Sequence, residues 1–264
     1  MAEGWVETRA DAERWILLGK VFVDGVPVSH AGQPLPVGAA LAVRGIGARY
    51  IGKGGYKLEG ALGAFGLDLA GRVALDAGAS TGGFTDCLIK RGCAHVYAVE
   101  VGYGQLHGTL RNHPAVVNME RTNIGDPSLL ALNPPPTLGT VDLSYLSLRR
   151  AVPIFAAILR GRGELLCLVK PLFEIEDARA RREGVIPKEA YAPLLRSLCG
   201  ALDAGGAAVR GVAHSPVTGN AGTLEFFIWL DLDGTGALES AALESDIKKT
   251  VRAGLALERY KKEK

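Results

Sequence analysis

From Gly71 onward the chain switches between two periodicities. Apolar β-type runs alternate with helical stretches: "RVALDAGAS" then "GGFTDCLIKRG", "HVYAVEVG" then "LHGTLRNH", "TVDLSYL" then "LRRAVPIFAAILRGRG" (a helix despite its proline). "GELLCLVKP", the helical "AYAPLLRSLCGALDAGG", "AAVRGVAHS" and a final "LEFFIWLDL" complete the series. Strands of this kind, separated by helices, predict a parallel, doubly wound sheet covered on both faces. In an open α/β sheet, ligands sit beyond the carboxyl ends of the strands, where the strand order reverses. Polar residues at strand ends are therefore the ones to read.

A smaller α+β module precedes the sheet. Residues 9–18, "RADAERWILL", read as a short helix with Trp15, Ile16 and Leu18 on its apolar side. "KVFVDGVPV" reads as a hairpin around Asp24-Gly25, and "GQPLPVGAALAVRG" adds another strand. Residues 237–264 predict a C-terminal helix with Leu243, Ile247, Val251 and Leu255 on one face and a basic end, "RYKKEK". The expected division is 1–50 for the module, 51–233 for the sheet domain and 234–264 for the helical tail. With 264 residues, 48% of them hydrophobic, the chain has enough apolar material for one large core and a small one.

Charge and cysteine usage exclude several classes. A net charge of only +2 gives the whole molecule no strong pull on nucleic acid, so any such attraction must be local. No apolar run approaches the roughly 20 residues of a membrane span, and "MAEGWVETRADAERW" lacks the basic-then-apolar order of a signal peptide. Cys87, Cys93, Cys167 and Cys199 show no paired CxxC spacing. They read as reduced thiols of a cytoplasmic protein, and no metal site is expected.

The first sheet strand delivers "DAGASTGGF", a glycine loop that opens a helix. Gly78, Gly82 and Gly83 allow a ligand to approach the backbone closely, yet no GK[ST] follows, so this is not a phosphate-binding P-loop. The second strand ends in Glu100, about 20 residues on, the distance at which a carboxylate binds ribose hydroxyls. An acid before the loop (Asp76), the loop itself and Glu100 together suit S-adenosylmethionine, whose ammonium needs an acceptor. Ser80, Phe84 and Thr85 of the same loop, Asn123 in "ERTNIGD" and Asp142 complete the expected cofactor-binding set. The alternative is a glycine-rich turn that merely permits tight helix–sheet packing.

Four further residues stand at strand or loop ends: Lys57 in "KGGYKL", Asp142 in "VDLSYLSL", Lys170 in "LVKPLFE" and Glu225 in "GNAGTLEFFIWL". Each has a dull reading as a cap, a surface charge or a structural ion pair. Two cations and two carboxylates aimed at one rim are also the inventory for activating a hydroxyl.

"GGYKL", "DAGASTGGFTDCL", "YAVEVGYGQL", "ERTN", "VDLSYLSL" and "LVKPLFE" resemble the TlyA group of FtsJ-type ribose 2′-O-methyltransferases. The resemblance runs from about residue 9 to residue 230. It implies a Rossmann-like S-adenosylmethionine-dependent methyltransferase sheet with an N-terminal ribosomal-protein-type RNA-binding module. It implies a Lys-Asp-Lys-Glu tetrad at Lys57, Asp142, Lys170 and Glu225, and cytidines of ribosomal RNA as acceptors. Some members of the group have also been called hemolysins. Lys170 is then the group that takes the hydroxyl proton or stabilises its alkoxide, with Asp142 orienting it. Arg9, Arg14, Lys20, Arg44, Arg49 and Lys53 are the cations expected to meet phosphates.

The chain departs from the pattern on the acceptor side. Lys53 stands where the group has arginine, Leu172 where it has glutamine, and Thr223 where it has asparagine. "IEDARARREGVIPKEA" replaces a glycine-rich segment, and the N-terminal module lacks most of its first helix. These departures keep open a second expectation, a methyltransferase of the same fold acting on a small molecule. A non-enzymatic role, as hemolysin or RNA binder, fits less well: there is no lytic amphipathic segment and the cofactor loop is intact.

Overall fold

The computed structural model describes residues 9–36, 38–39, 41–43, 50–175, 177–219 and 222–257. The chain opens with helix α1 (Arg9–Leu17) and strands β1 (Val21–Val23), β2 (Val26–Pro27) and β3 (Leu41–Val43). β1 lies between β2 and β3, antiparallel to both. The β1–β2 hairpin turns through Asp24 and Gly25, both at positive φ. Trp15, Val21, Val23 and Val28 form this module's core. Arg14 is partly buried and Lys20 exposed, whereas Arg44, Arg49 and the basic "RYKKEK" end lie outside the described residues.

The larger unit follows as α2 (Lys53–Phe65), β4 (Val73–Ala77), α3 (Gly83–Lys90), β5 (His95–Glu100), α4 (Gly108–Arg111), β6 (Val116–Glu120) and β7 (Leu138–Val141). It continues with α5 (Leu148–Ile158), β8 (Glu164–Val169), α6 (Pro171–Glu174), α7 (Ala178–Glu183), α8 (Tyr191–Ala204), β9 (Ala208–His214), β10 (Phe226–Asp231) and α9 (Ser240–Leu255). Its seven strands are ordered β6-β5-β4-β7-β8-β10-β9. The strands from β6 to β8 are parallel, but β10 runs antiparallel to both β8 and β9. The sheet is therefore not wholly parallel. A parallel return to the sheet needs a long crossover, usually a helix, and the described residues between β9 and β10 supply no α-helix.

Both faces of the sheet are buried, as near-continuous apolar strands require. Along β8 the side chains alternate: Leu165, Cys167 and Val169 join one core cluster, Leu166 and Leu168 the other. In α9, Ile247 and Val251 are buried while Leu243 and Leu255 pack at the edge of the first cluster, the stripe that periodicity predicts. α2 and α3 meet glycine to glycine. A methyl group on Gly83 would lie 3.1 Å from the Gly54 Cα, so the two "GG" pairs bring both helix starts together. The chain runs outward from β4 to β6, then crosses back to β7. The order reverses between β4 and β7, where the fold leaves a crevice.

Candidate active site

The crevice is bounded by the glycine loop after β4 and the exit of β7. Asp142, the first residue beyond β7, donates its N–H to the Ala77 carbonyl at 3.0 Å. Gly78 turns away at φ +83, and a methyl group there would lie 2.3 Å from the Asp142 carbonyl oxygen. The two loops touch backbone to backbone, which only glycine permits.

Lys57, Asp142, Lys170 and Glu225 line a single cavity of about 460 Å³. They come from one helix and three strand ends: the first turns of α2, the exits of β7 and β8, and the approach to β10. Lys170 Nζ lies 2.6 Å from Asp142 Oδ1 and donates to Ser144 Oγ at 3.2 Å. Lys57 Nζ lies 2.5 Å from Glu225 Oε2, with side chains 11% and 6% exposed. Both contacts are close charge pairs at hydrogen-bonding distance. Burial pushes the Glu225 carboxyl above its ordinary range, and the Lys57 ammonium opposes that rise. The pairs differ in exposure, since Lys170 and Asp142 are 21% and 22% exposed. The inner pair is fixed, and the outer pair faces the opening.

Two more cavities adjoin this one, and Asp142 belongs to the walls of all three. One, of about 330 Å³, lies between the glycine loop and the start of α2, walled by Lys53, Gly54, Lys57, Gly78, Ser80, Gly83 and Phe84. The other, of about 650 Å³, runs along the ends of β4 and β5 past Gly78, Ser80, Glu100 and Asn123 to Lys170. Glu100 accepts the Ser80 N–H at 2.9 Å on one carboxylate oxygen and the Gly102 N–H at 2.8 Å on the other. These bonds hold the carboxylate at the wall. Asn123 lines the same cavity while its side-chain oxygen accepts the Gly125 N–H, closing an Asx turn. It is both a wall residue and a turn residue.

Asp76, Thr85 and Gly82 are not at these walls. Asp76 is fully buried and accepts from Thr85 Oγ1 at 2.6 Å and Thr140 Oγ1 at 2.9 Å. The carboxylate thus ties β4 to α3 and β7 from within, each oxygen bonded to a threonine. A methyl group on Gly82 would meet the Leu106 and Leu110 side chains. Burial raises the Asp76 carboxyl from 3.8 to about 6, against the opposing threonine hydrogen bonds. A carboxyl with a raised folded pKa binds its proton more tightly in the native state. Its contribution to stability is complete below the unfolded pKa and is lost as pH climbs through the folded one. At 1.36 kcal/mol per tenfold the loss is about 3 kcal/mol. Asp76→Asn, which cannot titrate, is expected to remove that slope from urea-unfolding free energies between about pH 4 and about pH 7. An unchanged slope would exonerate Asp76.

Sequence reasoning missed several wall residues. Ser144 and Tyr145 line both the tetrad cavity and the β5 cavity. Tyr145 has φ 66, is 90% exposed, and sets its ring 5.2 Å from that of Phe173. An exposed tyrosine in the left-handed region is strained, and its only sequence signal is its place after Asp142. Val185 and Ile186, in the aperiodic segment after "LFE", and Tyr191, the first residue of α8, close the far side.

A glycine-lined crevice at the switch point of a seven-stranded sheet, beside a lysine–carboxylate tetrad, defines a Rossmann-like methyltransferase. The sequence profile of the FtsJ-like methyltransferase family matches residues 50–232. The chain is 37% identical over 254 residues, 95% of its length and 94% of the relative's, to the 16S/23S rRNA (cytidine-2′-O)-methyltransferase TlyA of Mycobacterium tuberculosis. It is 35% identical over 229 residues, 85% of this chain and 94% of the other, to Hemolysin A of Brachyspira hyodysenteriae. Among solved structures, a protein described as a hemolysin from Streptococcus thermophilus superposes with TM-score 0.75 at 31% identity, covering 96% of this chain and 92% of that one. The chain belongs to the FtsJ-like methyltransferase family, in its TlyA group. No helix among the described residues is long and apolar enough to cross a membrane.

Proposed function

We propose that this protein transfers a methyl group from S-adenosylmethionine to a ribose 2′-hydroxyl of ribosomal RNA. The observation that carries the reading is the convergence of Lys57, Asp142, Lys170 and Glu225 on one cavity that meets the glycine-loop crevice at Asp142. The residues present fit the cofactor: Glu100 offers a fixed acceptor for ribose hydroxyls, Asn123 a polar edge for the base, and Gly78 a backbone that nothing larger can replace. Lys53, at the start of α2, gives the 330 Å³ cavity a cationic wall suited to a carboxylate. When bound, S-adenosylmethionine supplies an electrophilic methyl group.

The protein's own part is alignment and proton management. In-line displacement requires the hydroxyl to be held behind the methyl, and such positioning lowers the barrier by several kcal/mol. Lys170, between Asp142 and Ser144, has two of its N–H directions occupied. The remaining direction is available to the acceptor oxygen, either to take its proton or to stabilise the alkoxide. The buried Lys57–Glu225 pair keeps the far wall of the cavity polar and rigid. Tyr145 and Phe173 present aromatic faces at the mouth, where a base stacked on a ring gains about 1–3 kcal/mol. The relative named a cytidine-2′-O-methyltransferase and the small α+β N-terminal module support RNA as the acceptor.

Incubation with methyl-labelled S-adenosylmethionine and purified ribosomal subunits, followed by digestion to nucleosides, tests the reading. Label is expected in 2′-O-methylcytidine. Label appearing only in the small molecules of a metabolite extract would replace RNA with the small-molecule acceptor. No transfer to either would overturn methyl transfer.

A further inference from the structure

Several side-chain contacts join the loop leaving β7 to the loop leaving β8, Lys170–Ser144 and Tyr145–Phe173 among them, and two others mark the ends of the series. The first is Asp142–Lys170. The second lies deeper in each loop: Glu174 accepts from Ser147 Oγ at 2.7 Å and from the Leu148 N–H at 2.7 Å, with Arg149 Nη1 3.5 Å away. Ser147 follows Asp142 by five residues and Glu174 follows Lys170 by four, so the two contacts bracket the Tyr145–Phe173 contact between the same two segments. The Glu174 side chain is only 2% exposed. Burying a carboxylate to that degree is costly, and Glu174 offsets the cost with charge-assisted hydrogen bonds at the start of α5. Ser147 is the N-cap of that helix, its hydroxyl also accepting the Arg149 N–H at 3.2 Å.

On the other side of the clamp, α6 is a single turn. Lys170 is its N-cap and accepts the Phe173 N–H at 2.8 Å, Pro171 stiffens its start, and Glu174 is its last residue. The turn is thus held at both ends, by β8 before Lys170 and by the start of α5 at Glu174. Glu174 is absent from the tetrad cavity's wall, so any effect on the chemistry passes through its neighbours. The geometry points to Glu174 as a positioning residue: by clamping α6 to α5 it holds the Asp142 and Lys170 backbones at the separation their contact requires. This inference rests on the methyl-transfer reading.

The test compares Glu174→Ala with Glu174→Gln, using labelled S-adenosylmethionine and ribosomal subunits as probes. A misplacement of about 1 Å at a reacting group costs about 10²-fold. Glu174→Ala is therefore expected to lower kcat by about that factor, with cofactor Kd by calorimetry and KM for RNA each within about threefold. Glutamine can still accept from Leu148 and donate to Ser147 Oγ, so Glu174→Gln is expected to stay within about fivefold of wild type. Amide hydrogen exchange across residues 142–148 and 170–174 is expected to quicken in the alanine variant and not in the glutamine one. Thr250→Val, which removes a buried hydrogen bond from α9 to the Val212 carbonyl, supplies a comparable loss of Tm away from the site and is expected to keep its rate. Should Glu174→Ala not fold, Ser147→Ala decides, with transfer about fivefold slower at unchanged cofactor affinity. Wild-type rates in Glu174→Ala or Ser147→Ala overturn the proposal, as does a rate loss that Thr250→Val reproduces at equal Tm. A wild-type protein inactive on RNA counts against the RNA-acceptor reading instead, and hydrogen exchange alone then tests the clamp: unchanged exchange at 142–148 in Glu174→Ala rejects it.

Discussion

Lys170→Ala is expected to bind S-adenosylmethionine within about threefold of wild type while transferring its methyl group about 10³-fold more slowly, the range general acid–base and electrostatic groups command. The separation of the two effects follows from position. Glu100, Asn123 and the glycine loop wall the crevice proposed for the cofactor, and Lys170 reaches only its end, where that crevice meets the tetrad cavity. Removing the side chain leaves Glu100 with its backbone donors and Gly78 against Asp142. It leaves Asp142 without the ammonium 2.6 Å away, so the acceptor hydroxyl loses the basic or cationic group paired with Asp142. Isothermal calorimetry and single-turnover transfer measure the two quantities independently. Lys170→Arg divides the remaining roles: a guanidinium keeps the charge but cannot be deprotonated. Partial recovery of rate assigns alkoxide stabilisation, and no recovery assigns proton acceptance. Normal turnover in Lys170→Ala would remove the lysine from the chemistry altogether.

Much of this was readable in the residues because a polar side chain that ends an apolar strand has few other places to be. Lys170 after "ELLCLV" and Asp142 after "LGTV" mark strand exits, and the topology then brings them to one crevice. The direction of β10 was not readable: periodicity marks a strand but not its sense, which depends on the connection before it. Asp76 lies inside the sheet for a reason the sequence does contain. Along β4, Leu75 and Ala77 join one core cluster and Ala74 the other, so alternation turns Asp76 to the α3 side, where Thr85 waits. Tyr145, α6 and α7 escaped because no period governs a one-turn helix or a strained loop. Their positions follow from contacts distant in sequence, Glu174 with Ser147 among them.

Gly78→Ala is expected to damage both halves of the site at once. At φ +83 an alanine is strained by about 1–2 kcal/mol, which a folded domain of this size survives. The larger effect is steric. The new methyl would lie 2.3 Å from the Asp142 carbonyl oxygen and 3.0 Å from its carbon, and both are backbone atoms that no rotamer change can move. Either the glycine loop retreats, pulling Ser80 away from Glu100, or the β7 exit retreats, pulling Asp142 away from Lys170. The first movement weakens the cofactor crevice and the second misaligns the tetrad, so cofactor affinity is expected to fall at least about tenfold and transfer by about 10²-fold or more. Gly63→Ala gives the contrast. Within α2, a methyl at Gly63 meets nothing within 4 Å, and helix propensity predicts a gain of about 0.5–1 kcal/mol, read as a higher Tm with unaltered binding and transfer. The two substitutions add the same atom to the same residue type, so a difference between them isolates the close approach of Gly78 to Asp142. If Gly78→Ala binds S-adenosylmethionine and transfers methyl groups as Gly63→Ala does, the junction of the two loops is not what shapes the site.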